Sequence, residues 1–492
     1  MNVLFVSAEA APFAKVGGMA DVVGSLPGAL RRLGIDARVM LPYYGFIDSE
    51  RYHITPVFSF LFSRRTGTTS VQVYSTIYQD VPYYFIQGWP FFGDEREVYS
   101  TWEWDVPRYL FFSQAAMASA WELRQRQGWF PDVFHVNDWH TGLIPFLLEE
   151  SRQDPIWAQV SSVLSIHNLA YQGDHAGGWL WELGVPGRHH PDLVYQDQTD
   201  NLMAIAIAYS DLLTTVSPRY ATEIQYPYMG YGLDGLIRAR VNDLVGILNG
   251  IDTNAMNPET DPFIVSHYNA ETFPEKRPPN KSQLQRDFDL DERDEVPVLA
   301  VVTRLVEQKG VDLLIPALRR LLATTDVQFI GLGSGEPHYD HQFWQLGQDF
   351  SWRARTYIGY NAALAQRIYA GCDLFLMPSH YEPCGIGQML AMRYGALPVV
   401  RETGGLADTV INYDNGPAER GTGFVFQWEE ADALYHTVRW ALDVYHHRPD
   451  AWQQMQRRAM QVDFSWENSA QQYIDVYRKA LIKRRGGFSW QK

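Results

Sequence analysis

Val298-Leu299-Ala300-Val301-Val302-Thr303-Arg304-Leu305-Val306-Glu307-Gln308-Lys309-Gly310-Val311-Asp312-Leu313-Leu314 decides the fold. Val298–Val302 is a continuous β-branched and aliphatic run, the mark of a strand buried on both faces. From Gly310 the period changes. Val311, Leu314, Leu318 and Leu321 recur at helical spacing while Asp312, Arg319 and Arg320 fall between them, which predicts an amphipathic helix. A buried strand, a short loop and a covering helix make one unit of a parallel α/β sheet.

The same alternation runs along most of the chain. Strands are predicted at Val3–Val6, Ala37–Leu41, Val71–Tyr78, Tyr83–Ile86, Val133–Val136, Ser162–Ile166, Leu212–Val216 and Val245–Leu248. In the second half they are predicted at Val298–Val302, Val327–Ile330, Thr356–Ile358, Leu374–Met377, Leu397–Val400 and Gly423–Phe426. The 492 residues are too many for one ordinary core, so two or three domains are expected. The stretch 257–297 lacks a clean strand and carries prolines 258, 262, 274, 278, 279 and 297, which puts a boundary near Leu248. In doubly wound sheets, ligands bind beyond the carboxyl ends of the strands, so the informative residues should follow strands directly.

Composition narrows the class. The net charge of −16 disfavours nucleic acid and anionic membrane surfaces as partners, and an anionic substrate then needs cations gathered locally. Aromatic residues reach 14%, which suits sugar stacking or simply a large aromatic core. Cys372 and Cys384 are too few for a disulfide framework or a four-cysteine metal site, and a reducing, cytoplasmic setting fits. The N-terminus lacks a basic segment and meets Glu9 early, so it reads as a first strand. No apolar run is long enough to span a bilayer.

Six motifs stand at strand ends. Lys15-Val16-Gly17-Gly18-Met19-Ala20-Asp21 opens a helix with two glycines that let a ligand approach the backbone, or is a plain strand-to-helix turn. Asn137-Asp138-Trp139-His140 suits sugar hydroxyls, or is a capping Asp beside a core Trp. His167-Asn168-Leu169-Ala170-Tyr171-Gln172-Gly173 clusters polar groups where a strand leaves its sheet. Arg304 and Lys309 place two cations at one strand–helix junction of an acidic chain, matching the need to neutralise a departing diphosphate. Glu382-Pro383-Cys384-Gly385-Ile386-Gly387-Gln388 sets a carboxylate before a glycine-rich turn and the helix predicted at Met389–Tyr394. Thr403-Gly404-Gly405-Leu406-Ala407-Asp408 is a second glycine pair at a strand end. Two patterns point elsewhere: Asp287-Phe288-Asp289-Leu290-Asp291 reads as a solvated charged face more than a metal site, and Gly331-Leu332-Gly333-Ser334-Gly335 as a loop lining the ligand cleft.

Together these motifs resemble those of bacterial glycogen synthases and plant starch synthases. Lys15–Val22 resembles their K-x-G-G-L-x-D-V motif, and the likeness continues in order through Asn137–His140, His167–Gly173, Gly230–Gly232, Gly246–Asp252, Arg304–Gly310, Glu382–Gln388 and Thr403–Asp408. The resemblance implies an α/β GT-B fold of two Rossmann-like domains facing across a deep cleft. It implies an acceptor-side domain at 1–247, a nucleotide-sugar domain at 248–468 and a terminal helical segment at 469–492 crossing back to the first. It also implies transfer of glucose from ADP-glucose to the non-reducing end of an α-1,4-glucan, with retained configuration and neither metal nor cofactor.

By match, Lys15, Gly17 and Gly18 lie near the donor, with Asp21 orienting a sugar. Arg304 and Lys309 hold the diphosphate, while Glu382 binds glucose hydroxyls beside the backbone of Cys384, Gly385, Ile386 and Gly387. His167 and Asp138 flank the reacting carbon, Asn168 and Asn249 line the substrate site, and Tyr360 stacks near the base. The chain departs from the family pattern in having Gly387 where Thr is usual, and Ala204 and Ala206 where Lys and Gly are common. Two further readings stay open: a UDP-glucose-dependent enzyme, and a glucan-binding protein of weak activity.

Overall fold

The computed structural model describes residues 1–414 and 420–486, so residues 487–492 of the expected terminal segment lie outside the described residues. The chain forms two compact units, one of Met1–Gly250 with Trp466–Lys492 and one of Ile251–Ser465. No described helix is long and apolar enough to cross a membrane.

The first unit is built on a nine-stranded sheet. Its strands are β1 (Asn2–Val6), β2 (Asp36–Pro42), β3 (Thr55–Arg64), β4 (Gly67–Tyr78), β5 (Val81–Gln87), β6 (Val133–Asn137), β7 (Ser161–Ile166), β8 (Leu212–Thr215) and β9 (Leu244–Gly246). They lie in the order β3-β4-β5-β2-β1-β6-β7-β8-β9. The run from β5 to β8 is parallel and follows the 3-2-1-4-5-6 order of dinucleotide-binding sheets. Its strands are solid apolar runs because helices cover both faces: Val3–Val6, Val163 and Leu164 are fully buried. The fully parallel expectation needs correction at one edge. β4 runs antiparallel to both β3 and β5. β3 escapes a search for solid apolar runs because it alternates: Phe58, Phe60 and Phe62 turn inward between exposed Ser59, Leu61 and Ser63.

The second unit holds six parallel strands: β10 (Val298–Leu305), β11 (Gln328–Gly335), β12 (Ala354–Ile358), β13 (Leu374–Met377), β14 (Leu397–Arg401) and β15 (Phe424–Phe426). Their order, β12-β11-β10-β13-β14-β15, is again 3-2-1-4-5-6. Two expectations are corrected here. β10 continues through Arg304, which pairs with Ser334, so this cation is the penultimate residue of a strand. Gly331–Gly335 forms the end of β11 and is not a loop. A Cβ on Gly333 would stand 2.1 Å from the Thr303 carbonyl oxygen and one on Gly335 2.2 Å from that of Leu305, so only glycine lets the two strands pair there. Helix Val311–Thr324 buries Val311, Leu314, Leu318 and Leu321 as the spacing predicts.

Helix Trp466–Gly486 packs on helix Gly18–Arg32 and on β7 within the first unit. Tyr477 Oη lies 2.7 Å from Nδ1 of buried His135, and Arg484 donates to the Leu148 carbonyl at 3.1 Å. Lys483 pairs with Asp243 at 2.6 Å.

Candidate active site

In a doubly wound sheet the order reverses beside the first strand, and the loops on either side of that point splay apart to leave a crevice. In the first unit the reversal falls between β1 and β6, in the second between β10 and β13. The loops carrying Lys15–Gly18 and Asn137–His140 flank the first point. Those carrying Arg304–Gly310 and Pro378–Gln388 flank the second.

After β1, Glu9 turns inward and is buried. Its Oε2 accepts from the backbone N–H groups of Val16 at 2.7 Å and Gly17 at 2.8 Å, and the Tyr99 hydroxyl donates to its Oε1. This carboxylate therefore shapes the Lys15–Gly18 turn. Gly17 caps helix Gly18–Arg32 without a side-chain cap, and a Cβ on Gly18 would meet open space. Lys15 and Asp21 form an exposed pair at 2.6 Å. Glu9 is the residue that sequence reasoning missed. Its signal was an acidic group directly after an apolar strand and just ahead of the glycine pair.

Asp138 and His167 meet at the ends of β6 and β7. Asp138 Oδ1 accepts from the His167 backbone N–H at 2.7 Å. Burial pushes the Asp138 carboxyl up to about 7, against the opposing pull of the His167 and Asn168 backbone N–H groups. Burial likewise pushes the His167 imidazole down to about 3, so it is neutral at neutral pH. Its tautomer follows from its neighbour. The Asn137 amide nitrogen donates to the carbonyls of Val6 and His135, at 3.1 and 3.3 Å. Asn137 Oδ1 therefore faces His167 Nε2, 2.9 Å away, and must accept; Nε2 carries the proton and Nδ1 is left as an acceptor. Asn168 closes a local turn by accepting from Ala170 N at 3.1 Å. Gly173, at φ +60°, lies against Trp139, where a Cβ would stand 2.3 Å from the indole. Asn249 is buried with its Oδ1 unbonded.

In the second unit the adjacency of β10 and β13 brings Lys309 and Glu382 together. Lys309 Nζ lies 2.9 Å from Glu382 Oε1 and 2.6 Å from Oε2, and buried Ser379 donates to Oε2 at 3.1 Å. Arg304 is exposed and touches Gln308 at 3.5 Å. Glycines make the turns: a Cβ on Gly310 (φ +68°) would stand 2.1 Å from the Pro378 carbonyl oxygen, and one on Gly404 (φ +44°) 1.9 Å from that of Glu382. The Glu382 carbonyl also accepts from Gly405 N at 3.0 Å, which ties the start of helix Gly404–Thr409 to the Glu382 turn. Cys384 is buried, Gly385 is left-handed at φ +72°, Ile386 caps helix Gly387–Arg393, and Gly387 begins it. Tyr360 stands 82% exposed beyond β12.

Behind the Glu382 turn, His380 bridges two carboxylates. Its Nε2 lies 2.8 Å from Asp312 and its Nδ1 2.5 Å from Glu429. Burial lowers its pKa, but those two partners outweigh burial and raise it. Arg401 donates to the carbonyls of Ser379, at 2.7 Å, and His380.

The departures from the family pattern are packed over. A Cβ on Gly387 would stand 3.1 Å from Phe375 Cε1, so the Phe375 ring has to give by a few tenths of an ångström for a larger residue, while Met377 Sδ at 3.5 Å is in ordinary contact. Ala204 and Ala206 are fully buried in helix Leu202–Tyr209, whose cap Asn201 accepts from Ala204 N at 3.0 Å. Of the D-x-D pattern, Asp287 is paired with Arg367 at 3.2 Å.

Residues 2–239 match the model of the starch synthase catalytic domain, and residues 283–458 that of glycosyl transferases group 1. Glycogen synthase 1 of Geobacter sulfurreducens is 42% identical, with 99% of this chain and 97% of that protein covered. The glycogen synthase of Gloeobacter violaceus is 43% identical, with 99% and 100% covered. Among solved structures, the catalytic domain of starch synthase IV from Arabidopsis thaliana, bound to ADP and acarbose, superposes with a TM-score of 0.88 at 32% identity, with 98% of this chain and 99% of that one covered. Sucrose-phosphate synthase from Thermosynechococcus elongatus shares the fold, with a TM-score of 0.61 at 17% identity and 97% and 98% covered.

Proposed function

The chain belongs to the glycogen synthase family of glycosyltransferases, and from that premise we propose that it transfers glucose from ADP-glucose to the non-reducing end of an α-1,4-glucan, in the cytoplasm. The bond from the glucose anomeric carbon to the diphosphate oxygen breaks, and its electron pair leaves with ADP. The acceptor 4-hydroxyl attacks the same face, so configuration is retained, and its proton passes to the departing phosphate oxygen. Positive charge grows at the anomeric carbon while negative charge grows on the diphosphate. Fixed cations on the leaving side provide the largest stabilisation.

The observation that carries this reading is the paired Lys309 and Glu382 at a sheet reversal. Each neutralises the other. A nucleotide sugar replaces both halves of that contact: its diphosphate takes Lys309 with Arg304, and its glucose hydroxyls donate to Glu382. Desolvating either charge is thereby offset by a new partner. The backbone N–H groups of Cys384, Gly385, Ile386 and Gly387 complete the second unit's part in donor binding, and by match to the family Lys15, Gly17 and Gly18 are the first unit's donor residues. Asp21 and Asn249 orient the sugars, and Tyr360 stacks on the base. Asp138, His167 and Asn168 stand by the reacting carbon, where the His167 Nδ1 lone pair accepts from a sugar hydroxyl.

The test is incorporation of labelled glucose from ADP-glucose or UDP-glucose into maltoheptaose, followed by digestion with an α-1,4-specific hydrolase. Longer, fully digestible chains formed preferentially from ADP-glucose are expected. A folded preparation that extends no acceptor from ADP-glucose would refute the assignment.

A further inference from the structure

We propose that His380 is a positioning residue for transfer: by bonding Asp312 and Glu429 at once, it fixes the Glu382 turn against the helix that Lys309 leads into; this rests on the donor-site reading of Lys309 and Glu382 above. His380 stands two positions before Glu382. Asp312 stands three positions after Lys309, in the first turn of helix Val311–Thr324. The His380 Nε2 lies 2.8 Å from Asp312 Oδ1, and its Nδ1 lies 2.5 Å from Oε1 of Glu429, just ahead of helix Ala431–His447. One small ring thereby joins three elements.

The backbone around it leaves little slack. His380 N donates to the Gln308 carbonyl at 2.9 Å, and Gln308 Nε2 donates to the Tyr381 carbonyl at 3.3 Å. Arg401, the last residue of β14, holds the carbonyls of Ser379 and His380, and Ser379 Oγ in turn donates to Glu382 Oε2. Lys309 and Glu382 also grip one another, but a nucleotide sugar replaces that contact. From then on the spacing of the two side chains is set by what holds their loops from behind, and the His380 ring ties both.

The tie depends on a proton. Each ring nitrogen faces a carboxylate oxygen, which only accepts, and an imidazole donates from both nitrogens only when protonated. The neutral ring turns a lone pair on one carboxylate, and that bond becomes a repulsion. Burial disfavours the charged ring, but Asp312 and Glu429 outweigh burial and raise its pKa. The opposing cation is Arg401, 3.7 Å from Glu429. Further out, Arg320 pairs with Asp432 at 2.9 Å between the same two helices, and Tyr339 feels the charges of Asp312, Glu307 and Glu336. The clamp is therefore complete below about pH 6.5 and loosens as pH rises through the raised value.

The test compares the full-length parent with His380→Gln, His380→Arg and Glu429→Gln from pH 6 to pH 9. It measures kcat/KM for ADP-glucose, the KM for glycogen, and ADP affinity by calorimetry. At pH 6 His380→Gln should fall about tenfold below the parent in kcat/KM, and the two should converge at pH 9. His380→Arg, charged throughout, should stay near the parent's pH 6 value across the range. Glu429→Gln should move the parent's fall to lower pH, because the ring loses one of the two anions that favour its charge. The KM for glycogen should stay within about twofold, because this turn grips the donor. A ratio of parent to His380→Gln that is the same at every pH overturns the role. So does a His380→Arg profile that falls in step with the parent, or an unshifted fall in Glu429→Gln. A parent that transfers no glucose overturns the functional reading instead. The role is then read from ADP affinity, which should weaken about tenfold from pH 6 to pH 9 in the parent but not in His380→Arg; equal weakening in both overturns it.

Discussion

Asp138 holds φ +52° and ψ −170°, a backbone region that glycine enters freely and other residues enter at a cost of about 1–3 kcal/mol. Natural sequences accept such strain where a side chain is needed at that point. Here the carboxylate accepts from the His167 backbone N–H. Asp138→Ala keeps the strain and loses the carboxylate, whereas Asp138→Gly loses both. Chemical denaturation should therefore find the Gly variant about 1–2 kcal/mol more stable than the Ala variant, with transfer reduced equally in both. Equal stability would mean that no strain is stored there. His380 sets a pH dependence of its own. Its pKa is raised by Asp312 and Glu429, with Arg401 the facing cation, so its stabilising contribution is complete below about 6.5 and declines as pH rises through the raised value. The gap in Tm between the parent and His380→Gln should shrink from pH 6 to pH 9; a gap that widens would reverse the assignment. Single residues were legible from sequence when they stood in a motif. Glu9 was not, because its role is to bond backbone N–H groups seven and eight positions on. The Lys309–Glu382 contact was also hidden, since it spans 73 positions and exists only because β10 and β13 are neighbours.

At the scale of elements, helix Gly387–Arg393 and β13 show how one departure from a family pattern is accommodated. The Phe375 ring stands close beside Gly387 and has to give way to a larger residue, so restoring a Thr there is over-packing. Gly387→Thr should destabilise by about 1–3 kcal/mol. Combined with Phe375→Leu it should cost less than the two single changes summed. Strict additivity, measured by a double-mutant thermal-unfolding cycle, would show that Phe375 is not what excludes the larger side chain. Elements with solid apolar runs were readable because burial on both faces demands such runs. β3 was not, although its alternating Phe58, Phe60 and Phe62 carry a period of two. The pairing of β11 with β10 through Gly333 and Gly335 was read as a loop because glycine more often marks turns than close strand contacts.

At the scale of the molecule, both sheets contain the same six-strand parallel order with a reversal point, and the six motifs read at strand ends follow or end strands beside these points or next to them. That correspondence was legible because parallel α/β topology fixes where strand ends lie. The return of helix Trp466–Gly486 to the first unit was not written in local sequence. It depends on long-range partners, such as Tyr477 with His135 and Arg32 with Glu467, that no periodicity reveals. The most direct measurement is the kcat of Lys309→Ala at saturating ADP-glucose and glycogen, with glycogen affinity measured on the same preparation. If Lys309 stabilises the departing diphosphate, kcat should fall by about 10²–10³-fold while the glycogen dissociation constant stays within about twofold of the parent. A kcat close to the parent's, or an equal loss of turnover and glycogen affinity, would contradict it.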